Sequence, residues 1–200
     1  MIDIKKFPII IISSPRTGST PLAYELKNKY NLELFNEPLR SKEQEQHNFL
    51  TFIKNNDNNF ILKLHINDLH GYPNDILKII NDHQCTLIRI RRRDIVSQVV
   101  SLYIETERDI WGYYKDYVNP ETIAEFTNSE IPIKIDLIMC IKKVIDINNE
   151  LNKLTYRFDY DIWYEDLIVK DQTFITTPKP NNYNLIKETV KTYIEKGKIK

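Results

Sequence analysis

Residues 13–20 read Ser-Ser-Pro-Arg-Thr-Gly-Ser-Thr and follow directly on the isoleucine-rich run 7–12. These residue types suit one task, the holding of an anion. Arg16 brings a fixed charge in a planar fork, and Ser19 and Thr20 bring hydroxyl donors. Gly18 lets the backbone come close to a bound group. A strand that runs through a tight loop into a helix turns several main-chain N–H groups toward one point. The bland alternative is a serine-rich strand-to-helix turn with no ligand.

The phosphate-loop pattern G-x-x-x-x-G-K-[ST] sharpens this reading. Aligned on Gly18, Ser13 stands at the first glycine and Ser19 at the lysine. The lysine that reaches a β/γ-phosphate is missing, and an arginine stands two positions before the glycine. That exchange favours a 5′-phosphate-type group and argues against ATP hydrolysis.

The surrounding chain must position such a loop. Leu22, Ala23 and Leu26 predict a helix over 20–30, with Pro21 in a first turn where a missing N–H costs nothing. A short strand over 32–35 ends at Asn36-Glu37-Pro38, and the proline is expected to hold Glu37 extended. A polar helix over 41–54 and a turn over 55–59 follow. Residues 60–66, FILKLHI, alternate as a strand and place Lys63 and His65 on one face. A short helix is expected over 76–81 and a strand over 85–90, which runs into Arg91-Arg92-Arg93-Asp94. In extended chain Arg91 and Arg93 point one way and Arg92 the other. Asp94 suits the N-cap of a helix over 95–107. Residues 110–117 are aromatic, with Trp111, Tyr113, Tyr114 and Tyr117. They fit either an acceptor pocket or ordinary packing. A long amphipathic helix over 135–154, a strand over 161–164 and a helix over 184–196 complete the pattern.

Strands alternating with helices predict an α/β fold, a mostly parallel sheet flanked by helices. Ligands of such sheets sit beyond the carboxyl ends of the strands. Residues 14–20, Glu37, His65 and residues 91–93 all fall at or near predicted strand ends, so four polar features converge on one edge. Two hundred residues suit one domain, 1–200. Lys plus Arg and Asp plus Glu stand at 28 each, so no bulk attraction to nucleic acid or to a membrane surface is implied. Cys85 and Cys140 are too few for a disulfide framework, and no metal-ligand spacing occurs. The apolar run 7–12 is too short for a signal-peptide core or a membrane span, so a cytoplasmic protein is expected.

Several segments, taken together, resemble the sulfotransferases that use 3′-phosphoadenosine 5′-phosphosulfate (PAPS). Pro15-Arg16-Thr17-Gly18-Ser19-Thr20 is similar to the family's 5′-phosphosulfate loop. Arg93-Asp94 with Ser101, in RRRDIVSQVVSLY, is similar to its 3′-phosphate motif, an arginine with a serine eight residues on. Tyr164-Glu165-Asp166-Leu167 resembles the YEDL segment after the long helix, and Leu62-Lys63-Leu64-His65 the K-x-H strand of cytosolic members. Asn36-Glu37-Pro38 falls where several branches place a glutamate base. The loop and the 3′-phosphate helix look closest to the bacterial trehalose-type branch. The likeness runs in order from Pro8 to about Leu167.

The resemblance implies a P-loop-like fold and in-line transfer of a sulfuryl group from PAPS to a hydroxyl or amine of a small molecule or carbohydrate, releasing 3′-phosphoadenosine 5′-phosphate (PAP), with no metal. Arg16, Lys63 and the helix N-terminus at Ser19-Thr20 would stabilise charge on the leaving oxygen. Glu37 is the first candidate base and His65 the second. Arg93 and Ser101 would hold the 3′-phosphate, and Tyr164 would stack on adenine. Helical rise separates Ser101 from its helix start by roughly 10–12 Å, so the motif, not the spacing, joins it to Arg93. Each residue also has a plain reading: Glu37 a surface turn carboxylate, His65 a core histidine, Lys63 a solvated strand residue, Arg93 a solvated strand end, Tyr164 a core tyrosine. Two other classes stay open, a small P-loop-type nucleotide or metabolite kinase and a non-enzymatic nucleotide-binding module.

Overall fold

The structure, a computed structural model, describes residues 2–38, 43–54, 59–72, 74–82, 84–108, 120–167 and 179–197. The aromatic residues 110–117 and residues 176–178 lie outside them.

Five strands, β1 (Ile9–Ser13), β2 (Glu33–Asn36), β3 (Phe60–His65), β4 (Thr86–Arg91) and β5 (Tyr160–Trp163), form one sheet in the order β2-β3-β1-β4-β5. Every pairing is parallel. Seven α-helices occur among the described residues: α1 (Ser19–Tyr30), α2 (Glu43–Lys54), α3 (Asn74–Asn81), α4 (Ile95–Arg108), α5 (Pro120–Asn128), α6 (Asp136–Lys153) and α7 (Tyr183–Glu195). The protein therefore has the expected α/β fold, a parallel sheet flanked by helices around a P-loop-like strand–loop–helix unit. No described helix is long and apolar enough to cross a membrane.

The chain groups into two compact units, Met1–Arg93 with Ile147–Lys170, and Asp94–Asp146 with Asp171–Lys200. The first contains the sheet. Its central strand β1 is buried throughout, as a parallel strand covered on both faces must be. Ile10 and Ile12 enter a cluster with Phe49, Leu62, Ile76 and Leu151, while Ile9 and Ile11 enter another with Ala23, Leu26, Ile61 and Ile88. Alternate residues of one strand thus hold α1 against one face, and α2, α3 and the end of α6 against the other. In the second unit Val99, Val100 and Tyr103 of α4 pack with Leu137, Ile141 and Val144 of α6 and with Ile186 and Val190 of α7. Asp94 caps α4 by accepting from the Ser97 N–H at 2.9 Å.

Three features differ from the sequence-based expectation. Strand β3 alternates in sequence but is buried on both faces, so Lys63 is only 2% exposed. Helices pack against both faces of the sheet around it. Glu37 is not extended; its φ is 52°, in the left-handed region. The restriction before proline yields because the Glu37 N–H and carboxylate are both bound from β3, as described below. Helix α5 has no counterpart in the sequence pattern, since residues 120–128 carry too few apolar residues to show a helical period.

Candidate functional site

All five strands run the same way, so their carboxyl ends share one edge of the sheet. The loop after β1 leaves from the middle of that edge. It rests on buried hydroxyls: Ser13 donates to Ser19 Oγ at 2.9 Å, Ser14 donates to Asn148 Oδ1 at 2.7 Å, and Thr17 donates to the Ser14 carbonyl at 2.8 Å. Ser13, Ser14, Thr17 and Ser19 are all buried. Ser19 accepts from Ser13 and so keeps its own proton for another acceptor. Arg16 and Gly18 both have left-handed φ values, 62° and 69°. Gly18 is the N-cap of α1, whose first turn carries no acidic side chain. The positive end of the α1 dipole therefore faces no carboxylate of its own helix.

On one side of the loop stand Glu37, Lys63 and His65. His65 pairs with Ser13 across the sheet and Asn36 with Lys63, so the ends of β1, β3 and β2 bring these groups together. The Glu37 N–H donates to the Lys63 carbonyl at 2.8 Å. The Lys63 ammonium donates to Glu37 Oε1 and lies 3.1 Å from His65 Nε2, and Nε2 is 3.3 Å from the same Oε1. Glu37 is 21% exposed and His65 12%, so a buried cation joins two proton acceptors that reach solvent. Both candidate bases thus belong to one hydrogen-bonded set, and Lys63 is no solvated strand residue.

Glu37, His65 and Asp68 also offer ligand atoms within 4.8 Å of one another. Lys63 already contacts two members of that set, Glu37 Oε1 and His65 Nε2. Asp68 accepts from the His65 main-chain N–H at 3.2 Å and caps the 3-10 turn Ile66–Gly71. An ammonium and a divalent cation compete for that position.

On the other side of the loop lies an arginine ladder. Arg89 and Arg91 both bind the Asp161 carboxylate, and Arg91 and Arg93 both lie over the Trp163 ring, at 4.2 and 5.0 Å. Burial pushes the Asp161 carboxyl up, but Arg89 and Arg91 outweigh it and hold the group below the usual carboxylate range. Arg93 makes a bidentate pair with Asp166, two bonds of 2.8 Å, and its main-chain N–H bonds to Glu165 at 3.1 Å. The pair raises the arginine and lowers the aspartate. The guanidinium fork expected to grip a phosphate thus holds a planar anion of the chain itself.

Tyr164 touches both the loop and Arg92. The Arg92 guanidinium lies 4.4 Å from its ring centroid, and the ring packs against Gly18. One face of Tyr164 therefore carries Arg92. Ser101 belongs to the second unit, half-buried on α4.

The geometry brings together the loop, Glu37, Lys63, His65 and Arg92 of the run 91–93, and it adds Asp68, Asn148 and Trp163, which the sequence did not single out. Asn148 stands on a helix 134 residues from Ser14, with nothing local to mark it.

No family model matches the chain, and no curated protein does. Among solved structures it is similar to shikimate kinase from Bacteroides thetaiotaomicron, at 9% identity and a TM-score of 0.38, over 96% of this chain and 99% of that one. It is also similar to dephospho-CoA kinase from Campylobacter jejuni, at 11% identity and a TM-score of 0.36, over 96% and 98%. Likenesses this slight carry no argument about activity.

Proposed function

We propose that the protein is a PAPS-dependent sulfotransferase acting on a hydroxyl or amine of a small molecule or carbohydrate. One observation carries the proposal: a buried lysine, a glutamate and a histidine form one hydrogen-bonded set at the strand end beside an anion loop that lacks the phosphate-loop lysine.

Bound PAPS supplies the sulfuryl group, and its bond to the phosphate oxygen breaks as the bond to the acceptor forms. The loop N–H groups, Arg16, Thr17, Gly18, Ser19 and Thr20 hold the 5′ end. Glu37 takes the acceptor proton, with His65 as its rival. Lys63 holds Glu37 in place, and its charge favours negative charge building nearby. Arg93 takes the 3′-phosphate after releasing Asp166, and by motif Tyr164 is assigned to adenine.

A thermal-shift comparison of PAP, AMP and Mg-ATP tests the reading, because a ligand that prefers the native state raises its melting temperature. PAP should stabilise most. Losing the 3′-phosphate should cost AMP on the order of 1.5–3 kcal/mol, the worth of a hydrogen bond to a charged group. Equal shifts for PAP and AMP count against the proposal. Preferential stabilisation by Mg-ATP, with ATP turnover, selects the kinase. PAP binding without transfer to any acceptor selects the binding module.

A further inference from the structure

Arg92 is the middle arginine of the run 91–93, and neither the ladder nor the expected phosphate sites use it. Its Nη1 donates to the Arg16 carbonyl at 2.9 Å, across 76 residues of sequence. Its guanidinium carbon lies 4.4 Å from the Tyr164 ring centroid, within cation–π range. Its Nε is buried and has no hydrogen-bond partner among the described residues. A side chain that leaves one donor unsatisfied is held there for what its other contacts do.

The acceptor of that bond is informative. The Arg16 carbonyl shares a planar trans peptide with the Thr17 N–H, so the two point in opposite directions. Fixing the oxygen toward Arg92 fixes the Thr17 N–H away from it. A flip of this one peptide would replace a donor by an acceptor in the loop. Arg16 already stands at a φ of 62°, where a residue with a side chain stays only if its surroundings hold it. Tyr164, packed against Gly18, also contacts the guanidinium.

We infer that Arg92 is a positioning residue that locks the Arg16–Thr17 peptide in its anion-receiving orientation, with Tyr164 as its platform; the inference rests on the anion-binding reading of the loop. It touches no ligand itself.

Calorimetric titration of the full chain with PAP, and with Mg-ATP, tests this for wild type, Arg92→Ala and Arg92→Lys, with the melting temperature of each ligand-free protein recorded. Whichever nucleotide wild type binds, Arg92→Ala should bind it at least tenfold more weakly with little change in melting temperature. Added guanidinium ion should restore part of the affinity, and methylammonium should not. Arg92→Lys keeps the charge but not the planar fork, and should also lose severalfold. It decides the matter should Arg92→Ala fail to fold. Wild-type affinity in Arg92→Lys, or in a folded Arg92→Ala, overturns the inference and leaves the proposed function standing. Wild type that prefers ATP overturns the sulfotransferase while Arg92 is still tested with ATP. Wild type that binds neither overturns both.

Discussion

The ring of Tyr164 occupies the space that a side chain on residue 18 would need. A Cβ at Gly18 would lie 2.7 Å from Tyr164 Cδ2, and φ there is +69°. Residue 18 must therefore be glycine on two independent grounds, its backbone conformation and its neighbour.

Gly18→Ala should lower stability by about 1–2 kcal/mol for the left-handed backbone alone, with the clash added. For a chain of this size that is a fall of roughly 2–8 °C in melting temperature. PAP binding should be lost with it. Adding Tyr164→Ala should relieve only the clash. A Gly18→Ala protein with wild-type melting and PAP affinity would show that neither ground matters.

Glu37→Gln tests the base. It keeps the shape but removes the charge and the basic lone pair, so turnover should fall roughly 10²–10⁴-fold while PAP affinity changes little. It also leaves the Lys63 cation, 2% exposed, without its counter-ion. A stability loss on the order of 2 kcal/mol should accompany it. Glu37→Gln combined with Lys63→Met should regain stability without regaining turnover, which separates chemistry from folding. His65→Asn tests the rival in the same assay. If only the histidine variant is inactive, His65 is the base; if neither variant is impaired with an alcohol acceptor, neither residue is.

The Arg93–Asp166 pair makes a prediction of opposite sign. Asp166 accepts both arms of the guanidinium that a 3′-phosphate would take. Asp166→Asn weakens that competitor, so PAP should bind more tightly than to wild type. Arg93→Ala should weaken PAP strongly and leave adenosine 5′-phosphosulfate nearly unchanged, whereas Arg16→Ala should weaken both. Calorimetry with the two ligands reads all three variants. Equal losses for both ligands in a folded Arg93→Ala protein would remove Arg93 from the 3′-phosphate.

The Asp161 carboxyl is held low by Arg89 and Arg91 despite its burial. A carboxylate with a lowered folded-state pKa contributes stability that is present above its unfolded value, about 4, and is lost as pH falls through the folded value. Urea midpoints measured downward from neutral pH should therefore drop in the acid range. Asp161→Asn should start lower at neutral pH and show a shallower drop. An identical acid profile in the variant would mean that the ladder adds nothing to stability.

Much of the framework is legible in local pattern. The run 7–12, the polar loop and the apolar spacing of Leu22, Ala23 and Leu26 announce β1, the loop and α1, because strand and helix periods are properties of neighbouring residues. The alternation of such segments implies a parallel sheet, and a parallel sheet implies that loops after the strands share an edge. On that logic residues 14–20, Glu37, His65 and the arginines 91–93 belong together before any coordinates are known, and the chain places them at that edge.

The pairings at the edge belong to the tertiary structure. Strand order sets β3 between β2 and β1, and helices packed on both faces of the sheet bury Lys63 and leave it as the counter-ion of Glu37. The same contact holds Glu37 at a φ that its neighbour Pro38 disfavours, so a local rule gave way to a bond formed across 26 residues. Asp166 reaches Arg93 from 73 residues away, and Arg92 reaches the Arg16 carbonyl from 76. Sequence pattern by itself determined which residues could do chemistry and which edge of the sheet they occupy, because periodicity is short-range. Which charge faces which was decided only by the fold, because Coulombic and hydrogen-bond partners depend on distance in space and not along the chain.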